Sequence, residues 1–203
     1  MGPKQQIDQQ AIIARDAFKA TLEVINGLTS QMNSIRVEVF VRDQSGRDAT
    51  DLFALRAPVL TGLSDVSGTG TIVGSSTGKA EWVIVPTVDA APTTNTQYFV
   101  GGTLTYQQDG QNVTVPLTPT SISVFPLAQL NVKYFHERDV FADDPFTPQI
   151  EPSIPFNLAV MIQNNGAGQA RNVSIASAQP KIIENESGLL IDFKIRLFSR
   201  ICG

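Results

Sequence analysis

Residues 155–177 constrain the fold of this chain more than any other stretch. The run Pro-Phe-Asn-Leu-Ala-Val-Met-Ile-Gln alternates, breaks at Asn164-Asn165-Gly166-Ala167-Gly168, and resumes as Arg-Asn-Val-Ser-Ile-Ala-Ser. Phe156, Leu158, Val160 and Ile162 share one face of the first run, and Val173 and Ile175 share one face of the second. Period-two patterning around a glycine-rich reversal predicts two antiparallel strands, each with one buried face. No helical pattern follows the glycines, so the reversal reads as a turn and not as a phosphate-binding loop.

The same alternation recurs upstream. Ile35, Val37, Val39 and Val41 form a strand that ends at Asp43-Gln44-Ser45-Gly46. Shorter pieces run over 52–55 and 68–73, and Ser75-Ser76-Thr77-Gly78 makes a turn before Ala80, Trp82 and Ile84 on one face. Tyr98, Val100, Leu104 and Tyr106 alternate next, with Gly101-Gly102 inside the run as a bulge or a point of close approach. Asp109-Gly110 is a hairpin signal leading to Val113, Val115 and Leu117, and Ile122 and Val124 follow Pro119.

The opening stretch fits two periods. Ala11, Ala14, Phe18, Leu22 and Ile25 make a helical stripe, whereas Phe18, Ala20, Leu22 and Val24 make a strand face. We favour a strand that pairs with the one from Ile35, since a hairpin would give both runs one buried sheet face.

Counted this way, residues 11–126 hold seven or eight strands with turn signals between them, the inventory of an immunoglobulin-like sandwich. Residues 1–10 read as an N-terminal tail. A second unit spans 127–203: Leu130, Val132 and Tyr134 alternate, an Asp/Pro-rich loop follows from His136, and then come the 155–177 hairpin and Leu189, Ile191, Phe193 and Ile195. Its 77 residues fall short of the roughly 100 of a whole sandwich, which predicts an incomplete second unit. The fold expected is therefore all-β: tandem immunoglobulin-like antiparallel sandwiches, the second incomplete. Unpaired edges there invite self-association through strand addition. Over 196–203 the polar/apolar order breaks, so frameshift, read-through or vector sequence stands beside a native end.

The stretch from Phe156 through Ile175 resembles the hairpin of bacterial cell-adhesion-related (CARDB-type) immunoglobulin-like modules: an apolar strand, Asn-x-Gly, small residues, Ala and a second strand. Residues 18–43, ending Asp-x-x-Gly, are similar to the same hairpin. The resemblance implies an extracellular or cell-surface β-sandwich, a spacer or adhesion element of a longer protein, with a protein or glycan as partner. The first residues of this chain, Met-Gly-Pro-Lys-Gln-Gln, lack the apolar core of a signal peptide.

Composition narrows the function classes. Net charge is -4 and no Lys/Arg-rich run accompanies an aromatic platform, which argues against nucleic acid as a partner. No run approaches the ~18 apolar residues of a membrane-spanning helix. The single cysteine, Cys202, excludes an intrachain disulfide. His136 is the one histidine, and no Gly-x-Ser-x-Gly elbow exists, so nucleophilic catalysis has little to work with.

The acidic loop after His136 is the best site for a ligand. Glu137, Asp139, Asp143, Asp144 and Glu151 fall within fifteen residues and offer hard oxygens, with Asp139, Asp143, Asp144 and Glu151 the candidate calcium ligands. Their spacing does not match an EF-hand, and Asp143-Asp144-Pro145 also fits a turn. Asp43, Asp48 and Asp51 form a weaker cluster, where turn chemistry is the default reading. Phe141 and Phe146 are candidates for glycan or protein contact, although large apolar residues in such a loop usually pack beneath it. Trp82 reads as core. The chain thus reads as a non-catalytic structural or adhesive module, with a calcium- or glycan-binding module second and an enzyme or hydrolase-accessory domain third.

Overall fold

A computed structural model describes residues 3–175 apart from 137–143, 145 and 153. It divides into two compact units, Met1–Ala170 and Arg171–Gly203; of the second, only 171–175 are described, as irregular backbone. Among the described residues there are twelve strands: β1 (Lys4–Ile7), β2 (Ala11–Ile13), β3 (Phe18–Ile25), β4 (Met32–Asp43), β5 (Phe53–Leu55), β6 (Val59–Thr61), β7 (Ser67–Ile72), β8 (Thr77–Pro86), β9 (Thr96–Gln108), β10 (Gln111–Phe125), β11 (Leu130–His136) and β12 (Leu158–Asn164).

Ten of them make two facing sheets. The first has the order β1-β3-β8-β5, with β6 also on β8, and the second has β2-β10-β9-β4-β7. Matching β1, β3, β4, β5, β8, β9 and β10 to strands A to G reproduces the A-B-E-D and C-F-G sheets of an immunoglobulin sandwich. The chain is an immunoglobulin-like antiparallel β-sandwich. One pairing is parallel: β2 runs alongside β10, placing Ile12 opposite Val124.

The core follows from strand periodicity. Phe18, Ala20, Leu22 and Val24 on β3 and Ala80, Trp82 and Ile84 on β8 point inward from one sheet. Ile35 and Val41 on β4, Tyr98, Val100 and Leu104 on β9, and Ile122 and Val124 on β10 meet them from the other. Trp82 is core, as its face predicts. The outward residues of β3 and β8 carry the charges, and Lys19 and Glu81 pair across the ladder at 2.8 Å. Asp109 and Gly110 both have positive φ (49° and 78°) and close the two-residue β9–β10 hairpin between Gln108 and Gln111.

Several expectations change. Residues 18–25 are a strand, as favoured, but β3 does not pair with β4. The two lie in opposite sheets, so the resemblance of 18–43 to a hairpin is overturned. Each strand has a single apolar face, and that condition is met equally well by facing one another across a core. Asn26 makes the crossing possible, as described below. Residues 4–7, expected in a tail, form the edge strand β1.

Gly101 and Gly102 are points of close approach. A Cβ on Gly101 would meet the Phe40 ring at 2.9 Å, and one on Gly102 would meet the Glu38 carbonyl oxygen at 2.5 Å. The bulge lies on the partner strand, where the register shifts between Leu117 and Thr120. It moves the inward positions of β10 from odd to even, which lets Leu117 and Ile122 both reach the core.

The hairpin expected over 155–177 is also redrawn. β12 pairs antiparallel with β11, from Leu130 opposite Asn164 to His136 opposite Leu158, and residues 171–175 are not a strand. The residues after Asn164 turn back onto the chain preceding β11, which removes them from a strand ladder. The expected strand over 189–195, Cys202 and the 196–203 tail lie outside the described residues.

Candidate functional site

A tightly constrained segment outside the sandwich core is where the chain leaves β10 and enters β11. Residues 126–129 form this link. Pro126 is buried, and Leu127 packs against the core of the sandwich. The glycine-rich segment that ends β12 folds against the link and holds it by main-chain and side-chain bonds.

Asn164 is the hub. Its Oδ1 accepts the Gln129 N–H at 3.0 Å and the Gly166 N–H at 3.1 Å, while its Nδ2 donates to the Gly168 carbonyl at 2.8 Å. Two main-chain bonds flank it: Asn165 N–H to the Gln129 carbonyl at 2.7 Å, and Gly168 N–H to the Leu127 carbonyl at 3.1 Å. Contact is so close that only glycine fits. A Cβ on Gly168 would lie 2.0 Å from the Pro126 carbonyl oxygen, and one on Gly166 would lie 2.5 Å from both Gln129 N and Leu127 O. The physical result is a connection with few remaining torsional choices.

A second staple of the same kind sits in the sandwich. Asn26, at 2% exposure the one buried polar residue among those described, donates its Nδ2 to the carbonyls of Ser30 (2.8 Å), Val73 (3.2 Å) and Ile72 (3.4 Å). Its Oδ1 accepts the Leu28 N–H at 3.1 Å. The loop that carries the chain from one sheet to the other is thereby pinned, and its polar groups are satisfied without water.

The carboxylates serve turns. Asp43 accepts the Ser45 hydroxyl at 2.6 Å and amide at 2.8 Å and the Arg47 amide at 3.0 Å, and Asp48 accepts the Thr50 hydroxyl at 2.6 Å and amide at 3.0 Å. These bonds, the hydroxyl ones foremost, hold both carboxyls below their ordinary range. Asp65, which the sequence did not single out, is shifted furthest, by the Ser67 and Thr69 hydroxyls. The expected default of turn chemistry at Asp43 and Asp48 is what their bonds describe.

In the acidic loop, the Asp144 N–H donates to Glu151 Oε2 at 3.2 Å, and Asp144 Oδ1 accepts the Phe146 N–H at 3.0 Å. Asp139, Phe141 and Asp143 lie outside the described residues, and no group of three metal-ligating side chains occurs among those described. Phe146 is 93% exposed. It does not pack beneath its loop as expected, and its N–H is taken up by the Asx turn at Asp144. His136 ends β11, opposite Leu158.

No protein-family model matches the sequence, and neither does any curated protein. Solved structures with some likeness include the periplasmic chaperone SfaE, at 6% identity and a TM-score of 0.36 over 61% of this chain and 57% of the chaperone. Another is a family 123 glycoside hydrolase from Clostridium perfringens, at 11% and 0.39 over 62% of this chain and 27% of the enzyme. A third is AggA, the major subunit of aggregative adherence fimbriae type I from Escherichia coli, at 7% and 0.31 over 63% of this chain and 97% of AggA. The chain thus spans little more than half of the first and about a quarter of the second. The assignment to the immunoglobulin-like class rests on strand order and register.

Proposed function

We propose that this chain is a non-catalytic immunoglobulin-like module with a structural or adhesive role in a larger surface-exposed or secreted protein. In this reading β11 and β12 open a second unit of the same kind, of the cell-adhesion-related class that the sequence resembles. The observation that supports it is the clamp on residues 126–129. A spacer keeps binding loops at a set distance only if the chain between its units cannot swivel; three hydrogen bonds tie Leu127 and Gln129 to residues 164–168, and two more from Asn164 hold that segment in shape.

The adhesive part of the reading takes a protein or a glycan as partner and uses the loop between β11 and β12, where Phe146 stands bare. An exposed aromatic on a turn fixed by Asp144 presents a stacking face at small entropic cost.

Thermal melting of the intact chain in calcium and in chelator separates this role from the calcium reading of Asp139, Asp143, Asp144 and Glu151. We expect no change in Tm. A rise of about 3 °C or more in millimolar calcium, abolished by Asp144→Asn, would make the loop a metal site instead. Binding of the chain to immobilised cell-surface material, lost in Phe146→Ala, is the expected adhesive outcome; binding undiminished by that change rules out Phe146 as the contact.

A further inference from the structure

The chain contains the dipeptide Asn-Gly twice, at 26–27 and at 165–166, and the fold treats the two in opposite ways. Glycine has no side chain to shield its amide nitrogen, so this pair is where a peptide most readily cyclises on itself. In the reaction the Gly166 nitrogen gives its proton to hydroxide and attacks Cγ of Asn165. The Cγ–Nδ2 bond breaks, ammonia leaves, and a five-membered succinimide remains. Water then opens one of the two carbonyl–nitrogen bonds of the ring. One product is aspartate with the ordinary backbone; the other is isoaspartate, whose main chain runs through the β-carbon. No oxidant or reductant is needed.

Asn26 is protected from this chemistry. Its carboxamide is buried, gives hydrogen bonds to three carbonyls and accepts one amide. Rotating Cγ toward the Gly27 nitrogen would break all of them in a dry site. Asn165 is exposed, and among the described residues its side chain makes no hydrogen bond. The attacking nitrogen, that of Gly166, is held by a single bond to Asn164 Oδ1 at 3.1 Å at the surface.

The geometry points to Asn165 as a site of spontaneous deamidation whose isoaspartyl product unlocks the link between β10 and β11. An isoaspartyl residue adds one carbon to the main chain between 165 and 166. The added carbon displaces the glycines that follow it, and these sit against the link with no slack: a Cβ would stand 2.5 Å from Gln129 N and Leu127 O at Gly166, and 2.0 Å from the Pro126 carbonyl oxygen at Gly168. Segment 166–168 must shift, and the bond from Gly168 N to Leu127 O goes with it. The unlocking rests on the clamp described above, whereas the selectivity of the modification does not depend on what the module is for.

Peptide mapping of the intact chain after incubation in mildly alkaline buffer tests the first part, with isoaspartate read by an isoaspartyl methyltransferase. The expected result is conversion at Asn165 with Asn26 about a hundredfold slower, since Asn26 reacts only after local opening. In urea the two sites should react at similar rates. Equal rates at both sites in the folded chain, or an inert Asn165 over a time in which the denatured chain converts at both, overturns the proposal. Asn165→Gln should abolish conversion at that position. Amide hydrogen exchange tests the second part: Gly168, which donates to the Leu127 carbonyl, and Gln129, which donates to Asn164 Oδ1, should exchange at least about tenfold faster in the isoaspartyl form than in Asn165→Asp, which keeps the backbone length. Equal exchange in the two forms contradicts the unlocking while leaving the structural role of the module standing.

Discussion

The Tyr98 hydroxyl donates to the Ala90 carbonyl oxygen at 2.7 Å, tying the start of β9 to the turn that follows β8. Tyr98 is 4% exposed, and its ring meets Phe53 edge-on, with centroids 5.0 Å apart and planes at 82°. A tyrosine near the start of strand F that bonds a carbonyl several residues upstream is the tyrosine corner of immunoglobulin-type domains. It fixes the crossing from one sheet to the other at the place where β8 and β9 part.

Removing that hydroxyl alone isolates its effect. Tyr98→Phe keeps the ring against Phe53 and leaves the Ala90 carbonyl buried without a donor. We expect a loss of ~1–2 kcal/mol, which lowers Tm by about 2–8 °C for a chain of this size. Differential scanning calorimetry checks this, and an unchanged Tm would show the corner to be ornamental.

Asn26→Ala should be more costly. The change takes the donor from the carbonyls of Ser30, Val73 and, in the buried part of the site, Ile72, and the acceptor from the Leu28 amide. The expected loss is about 2–3 kcal/mol, read from the urea midpoint at constant m. A loss under ~0.5 kcal/mol would mean that the loop is held by other means.

Acid should weaken the sandwich through Asp43, Asp48 and Asp65. All three have folded values below the ordinary carboxylate range, because serine and threonine hydroxyls bond the ionised form. Their stabilisation is therefore complete above the unfolded value of about 3.9 and is lost as pH falls through the folded values. The urea midpoint should be flat from about pH 5 to 7 and decline below about pH 4, with a shallower decline in Asp65→Asn. Identical acid limbs in the two proteins would contradict the role given to Asp65.

Which faces are buried was legible in the sequence; which sheet each face belongs to was not. Phe18, Leu22, Ile35 and Val41 all alternate correctly, yet an apolar face specifies burial and says nothing of whether a neighbour lies beside it or across the core. The bulge expected at Gly101-Gly102 lies instead on β10, between Leu117 and Thr120, where it changes the phase from Leu117 to Ile122 without ending the strand. Asp109-Gly110 is legible as a hairpin because a two-residue turn acts locally. The glycines at 166 and 168 signal a turn for the same reason. Their role is non-local, since they let backbone approach backbone at Leu127 and Gln129, and no spacing rule carries that information. The polar strand β1, Lys-Gln-Gln-Ile, had no apolar alternation to announce it.

The central claim is that residues 126–129 are held as rigidly as the sheets they join. Backbone ¹⁵N relaxation on the intact chain measures this at Leu127, Ala128 and Gln129. We predict order parameters near ~0.85, matching those of β9, and a fall below ~0.6 in Asn164→Ala with the β3 and β8 amides unchanged. Order parameters already below ~0.6 at those three amides in the unaltered chain would contradict the account.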